Sequence, residues 1–176
     1  MDPGHLHLRP ARMEEAAVVA KLANVAYGRT EGEVGWTSEQ DLIEGSRIDQ
    51  AGVEALIQDE GTHLLVAMRG GQLVGCVQLD PGPERSCELG LFSVDPALQG
   101  QGIGRTILSQ AEAYARDHLG ARRMVMHVVS VREKLLAWYR RRGYEPTGDE
   151  VPFEPFGDQR FLQGPLSFKV LAKELS

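Results

Sequence analysis

Runs of basic residues are nearly absent from this chain. Apart from Arg140-Arg141-Arg142 no stretch is rich in Lys or Arg, and the formal net charge is −6. Nothing here would track a phosphate backbone, so nucleic acid is not an expected partner. Cysteine is equally scarce. The two present, Cys76 and Cys87, sit in apolar strand-like runs without Cys-x-x-Cys or metal-ligand spacing, which fits small buried hydrophobes in a reducing compartment and predicts no metal site. No apolar run is long enough to cross a bilayer, and Met1-Asp2-Pro3-Gly4-His5 lacks the basic stretch and apolar core of a leader. The expectation is a cytoplasmic protein with no membrane partner.

What is present is an average globular composition spread over 176 residues, and residues 1–176 are expected to form one domain. Leu6 and Leu8 alternate with polar neighbours as a short strand, and the Ala-rich stretch from Arg12 to Tyr27 reads as a helix closed by Gly28. Thr37-Ser38-Glu39-Gln40 offers a capping box for a second helix near Glu39, weakened by Gly45 and Gly52. Thr62 to Met68 and Leu73 to Leu79 form a hairpin through Arg69-Gly70-Gly71-Gln72, whose paired glycines suit a turn at positive φ. Cys87 to Val94 is another strand, stopped at Asp95-Pro96.

Helical spacing returns from Gly102 to Asp117, followed by a strand from Met124 to Val129 and a helix from Val131 to Arg142 with Val131, Leu135 and Trp138 on one stripe. Tyr144 begins extended chain, Val151 to Pro165 reads as a long loop, and Leu166 to Lys173 as a final strand. Hairpins followed by one strand-helix-strand crossover predict an α+β domain with a mixed sheet.

The chemistry is concentrated in Val94-Asp95-Pro96-Ala97-Leu98-Gln99-Gly100-Gln101-Gly102-Ile103-Gly104-Arg105, which leaves a strand, turns through alternate glycines and opens an amphipathic helix. The first N–H groups of a helix lack internal acceptors and the helix dipole is positive there, so main chain alone can hold a diphosphate that glycines allow to approach. The spacing is G-x-G-x-G rather than the dinucleotide G-x-G-x-x-G, and no Gly-Lys-Ser/Thr occurs, so a Walker loop is excluded and a nicotinamide-dependent oxidoreductase is a distant alternative.

Val94-x-Pro96-x-x-Gln99-Gly100-x-Gly102-Ile103-Gly104 resembles the acetyl-CoA-binding motif of the GNAT superfamily of N-acetyltransferases, and Ala137-Trp138-Tyr139-Arg140-Arg141-Arg142-Gly143-Tyr144 is similar to that family's helix carrying Tyr, three variable residues, Gly and an aromatic. The resemblance implies a mostly antiparallel sheet of about six or seven strands, splayed between the fourth and fifth, with helices on both faces. It also implies transfer of acetyl from acetyl-CoA to a primary amine of a small molecule or peptide by direct attack in a ternary complex. A non-catalytic acyl-CoA-binding sensor or scaffold is the alternative from another class.

On that resemblance the cofactor lies along Leu91, Phe92, Ser93 and Val94, where a bulge near Gly90 frees an N–H of Leu91 or Phe92 to polarise the acetyl carbonyl. Its diphosphate rests on Gln99, Gly100, Gln101, Gly102, Ile103, Gly104 and Arg105, and Arg132 stands where the family often has an Asn contacting the pantetheine arm. Tyr139 corresponds to the residue that protonates the departing thiolate. Glu88 resembles the position of the general base, and His127 on the next strand is the competing base. Arg140-Arg141-Arg142 reads first as a wet helix face and second as a contact for the 3′-phosphate. Acceptor contacts are expected from Trp36, Arg47 and Phe153 to Phe161. The final strand leaves room for a homodimer paired across a two-fold axis.

Overall fold

The computed structural model describes residues 4–28 and 42–176. Trp36 and the Thr37–Gln40 capping box lie outside the described residues. The strands are β1 (Leu6–Pro10), β2 (Ile43–Glu44), β3 (His63–Arg69), β4 (Gln72–Pro81), β5 (Ser86–Val94), β6 (Arg123–Val129), β7 (Glu145–Pro152), β8 (Arg160–Phe161) and β9 (Ser167–Glu174). The helices are α1 (Ala16–Ala26), α2 (Gln50–Gln58), α3 (Ile103–His118) and α4 (Glu133–Arg140). Seven strands form one sheet in the order β1-β3-β4-β5-β6-β9-β7, all neighbours antiparallel except β5 and β6, while β2 and β8 pair separately.

Alternation along β3 divides the core in two. Leu65 and Ala67 pack with Ile107, Leu108 and Ala111 of α3, whereas Leu64 and Val66 pack with Val19, Ala23 and Val53 from α1 and α2. Each fully buried Leu or Ile contributes about 1.5–3 kcal/mol, so the sheet is held firmly on both faces. Gly75 lets α3 lie close: a Cβ there would stand 2.6 Å from Ile107 Cδ1 and 2.7 Å from the Ser93 carbonyl oxygen.

Several expected boundaries move. The first helix is preceded by a 3₁₀ turn over Met13–Glu15, where the Glu15 carboxylate takes both Arg9 nitrogens at 2.8 and 2.7 Å and the Arg12 N–H at 2.8 Å. The described part of the second helical region begins at Gln50, capped by Asp49 Oδ1 accepting from the Gly52 N–H. Helix α4 starts at Glu133, and Val131 is 58% exposed rather than part of the apolar stripe. The expected loop after Val151 instead carries the last residues of β7 and the short β8.

Candidate active site

Cys87 and Leu89 of β5 face the α3 side, and so do Phe92 and Val94, but Leu91 points to the α1 side. A regular strand would put residues 87, 89, 91 and 93 on one face. One extra residue has therefore been inserted. Opposite it, β4 pairs Gln78 with Gly90 and Cys76 with Ser93, so Val77 alone faces Leu91 and Phe92. The positive φ falls on Leu91, at 45°, and not on the expected Gly90. For a residue with a side chain this backbone costs about 1–2 kcal/mol.

The bulge coincides with the end of a strand pairing. β5 runs parallel to β6 from Ser86↔Arg123 to Leu89↔Met126, and beyond that pair the two strands separate. Gly90 to Phe92 thus form one wall of a cleft, with Val128 and Val129 on the other.

At the end of β5 the chain enters α3 through Gly100 and Gly102, at φ 86° and 78°. A Cβ on either would meet no described atom within 4 Å, so both glycines face open space. A cavity of about 650 Å³ opens there, between this loop and α4. Arg105, Arg132, Lys134, Arg141 and Arg142 line it, and no carboxylate of the described residues does. No acidic side chain occupies the first turn of α3 either. In a chain of net charge −6, a cavity that gathers cations against a helix N-terminus is built for a polyanion. The Arg142 guanidinium stacks 3.9 Å from the Trp138 ring centroid and donates to the Trp138 carbonyl at 2.9 Å. Its Nε is buried without a partner among the described residues, and burial, with Arg141 and Arg105 nearby, lowers its pKa.

A second cavity of about 380 Å³ lies in the mouth of the cleft, walled by β5, β6 and the segments around Arg47 and Phe153. Glu88 and His127 line it, with His127 Nδ1 3.0 Å from Glu88 Oε1. The two cavities share Tyr27, Phe92, Arg132, Leu135 and Tyr139. Tyr139 is 7% exposed, packed edge-on against Trp138 and Tyr144 at 5.1 and 5.8 Å. Burial pushes its phenol well above the ordinary tyrosine range, Tyr27 adds to the shift and the Arg132 cation opposes it. Its phenol is therefore protonated at neutral pH.

Residues 29–144 match the family model described as Acetyltransferase (GNAT) family. The chain belongs to the GNAT acetyltransferase family. Among curated relatives it is 31% identical over 100 residues to the mycothiol acetyltransferase of Salinispora tropica, covering 54% of this chain and 33% of that one. It is 34% identical over 89 residues to the N-alpha-acetyltransferase RimI of Mycobacterium tuberculosis, covering 49% of this chain and 54% of that one. The chain thus spans about a third of the length of the mycothiol acetyltransferases it matches. Solved structures share the fold. The spermidine/spermine N-acetyltransferase SpeG of Vibrio cholerae superposes with a TM-score of 0.69 at 21% identity, covering 97% and 93% of the two chains. The ribosomal-protein-S18-alanine N-acetyltransferase of Escherichia coli gives 0.72 at 14%, covering 98% and 95%.

Set in that GNAT frame, most of the expected residues come together. Phe92, Val94, Gln99, Gly100, Gly102, Ile103, Gly104, Arg105, Arg132 and Tyr139 line the glycine-loop cavity, and Leu91 lines the adjoining one. Ser93 is buried, its hydroxyl 3.4 Å from the Leu91 carbonyl, and the Gln101 side chain turns away to accept from Arg69 at 3.3 Å. His127 and Glu88, weighed as rival bases, approach each other to 3.0 Å as a side-chain pair. Both thiols are pushed up to about 12, mainly by burial, which suits inert packing residues. Sequence reasoning missed Tyr27, for which no motif speaks, and Lys134 and Trp138 as a cavity wall, and it held Arg141 and Arg142 only in the second reading of the arginine run. Their spacing of three and four residues on one helix face was the available signal.

Proposed function

We propose that this GNAT protein transfers acetyl from acetyl-CoA to a primary amine by direct attack in a ternary complex, in the cytoplasm. The observation that carries this reading is the meeting of two cavities at Tyr139, one basic and glycine-lined, the other holding Glu88 and His127.

Bound in the larger cavity, acetyl-CoA supplies an acetyl group activated as a thioester. The fit is chemical: the open sides of Gly100 and Gly102 leave room for phosphates on the first amides of α3, and Arg105, Lys134 and Arg141 answer their charge. The N–H of Leu91 or Phe92, beside the bulge, polarises the thioester carbonyl in this reading, which the irregular pairing there supports.

The acceptor enters through the smaller cavity. The Glu88–His127 pair accepts a proton from its ammonium, directly or through water, and the freed nitrogen forms the new bond to the acetyl carbon as the bond from carbon to sulfur breaks. Tyr139 gives its proton to the leaving sulfur, and the second proton of the attacking nitrogen, shed as the neutral amide forms, returns to the phenol directly or through water.

The test is thiol release from acetyl-CoA over a pooled panel of amines, beside calorimetric titration of coenzyme A. Amine-dependent release is the expected result. Tight binding of coenzyme A with no release for any amine would instead favour a non-catalytic acyl-CoA sensor.

A further inference from the structure

We infer that the acceptor is a small zwitterionic amine, carrying its own carboxylate on an apolar or aromatic body, and that Arg47 takes that carboxylate. The inference rests on the transferase reading and narrows it to a substrate class.

The smaller cavity has three chemically distinct walls. One is the Glu88–His127 pair beside the splayed strands, suited to the amine. A second is aromatic: Phe153 and Phe168 stack with centroids 4.4 Å apart and Phe156 is 55% exposed, while Phe161, outside the cavity lining, meets Phe153 edge-on at 5.3 Å. The third is Arg47. Its guanidinium lies 5.3 Å over the Tyr27 ring, half-buried, and it forms no ion pair with a carboxylate of the described residues.

The position of Arg47 is built rather than incidental. Asn24 of α1 accepts from the Arg47 N–H at 2.6 Å and donates to the Ile48 carbonyl at 2.6 Å, clamping this segment to the helix. Gln159, 7% exposed, donates to the Ser46 carbonyl at 3.1 Å, and Asp158 accepts from the Ser46 N–H at 3.0 Å. Gly45, at φ 103°, lies so near the Asp158 backbone that a Cβ would stand 2.5 Å from its carbonyl oxygen. The segment bearing the cation and the one bearing the aromatic wall are therefore stitched together as one rim.

Charge decides between acceptor classes. A polyamine would need carboxylates for its second and third ammonium groups, but among the described residues Glu88 is engaged by His127 and the other lining carboxylate, Glu154, is exposed at the mouth. A half-buried arginine beside the pocket repels such a substrate and attracts an anion. The cavity volume of about 380 Å³ is at the small end of ligand pockets, fit for a single small molecule.

The experiment compares kcat/KM for matched pairs that differ only in the carboxylate, phenylalanine with phenethylamine and leucine with isopentylamine, alongside spermidine and a short peptide with a free N-terminus. The expected result is a preference of about 10- to 100-fold for the amino acid in at least one pair, the range for one charge-assisted contact. Arg47→Met should collapse that ratio toward unity by raising KM for the amino acid alone. Equal or better use of the decarboxylated amines, of spermidine or of the peptide overturns the inference while leaving the transferase reading intact. So does an Arg47→Met loss that is equal for both members of a pair. Absence of release with every amine overturns both.

Discussion

His127 Nδ1 lies 3.0 Å from Glu88 Oε1 across the last paired turn of two parallel strands. Parallel registration sets Glu88 beside Val125 and Leu89 beside Met126, so His127 is the first residue of β6 past the splay. The proposed proton acceptor is thus a pair rather than one side chain. Glu88→Gln and His127→Asn should each lower kcat/KM by about 10²-fold or more, the usual scale for a general base. Because the two act as a unit, the double variant should lose little beyond the worse single variant. Losses that multiply would show independent roles.

Tyr139→Phe isolates the hydroxyl. Its ring packing on Trp138 and Tyr144 survives the change, so the thermal midpoint should stay near that of the parent and acetyl-CoA affinity should change little. Turnover should fall about 10²–10⁴-fold. Undiminished turnover would take the proton donor's role away from Tyr139 and leave it a core aromatic.

The parts of this fold that could be read in advance are those where periodicity and packing agree. The β3–β4 hairpin and α3 bury unbroken apolar patterns. The bulge leaves no distinct trace, because both faces of the sheet are packed and adjacent apolar residues such as Leu64 and Leu65 occur in regular strand as well. β2 and β8 left none: two residues per strand carry no period, and their pairing joins positions 43 and 161 only through the fold. The same limit hid the approach of His127 to Glu88 and the cationic cavity, which gathers Arg105 from α3 and Lys134, Arg141 and Arg142 from α4 and the turn that follows it. Single motifs show a backbone site, whereas charge complementarity between distant segments is a tertiary property.

Gly75→Ala probes the seat of α3. The new methyl would stand 2.6 Å from Ile107 Cδ1 and 2.7 Å from the Ser93 carbonyl oxygen. The Ile107 tip can rotate, but the carbonyl belongs to the strand beside the bulge. Destabilisation of about 1–3 kcal/mol is expected from overpacking, measured by urea denaturation. A midpoint equal to that of the parent protein would mean that β5 shifts without cost.

The acid limb of stability should carry the signature of Glu15. Arg9 first, and then the Arg12 amide, hold its carboxyl below the usual glutamate range, against the opposing effect of burial. A lowered folded pKa means that the unfolded chain binds the proton more readily. The contribution is therefore complete above the unfolded value of about 4.3 and is lost as pH falls through the lower folded value. Glu15→Gln should cost about 1 kcal/mol at pH 7, after allowance for solvent screening of a partly exposed pair. The gap from the parent should close below about pH 4. A gap that persists undiminished in acid would assign the effect to packing instead of charge.

Gly102 separates what the protein needs from what the ligand needs. Its φ of 78° disfavours any residue with a Cβ, yet a Cβ there would touch nothing within 4 Å among the described residues. Gly102→Ala should therefore destabilise the fold by only about 1–2 kcal/mol, the cost of left-handed backbone. Coenzyme A would meet the added methyl directly, because the open side of Gly102 faces the basic cavity. Gly102→Val, bulkier at the same site, should reduce affinity by well over about 10-fold, beyond the 1.4 kcal/mol that one such factor represents. Calorimetric titration of both variants beside their unfolding curves distinguishes the two effects. Affinity that falls only in step with stability would mean that the phosphates are held elsewhere, and the assignment of the glycine loop would fail.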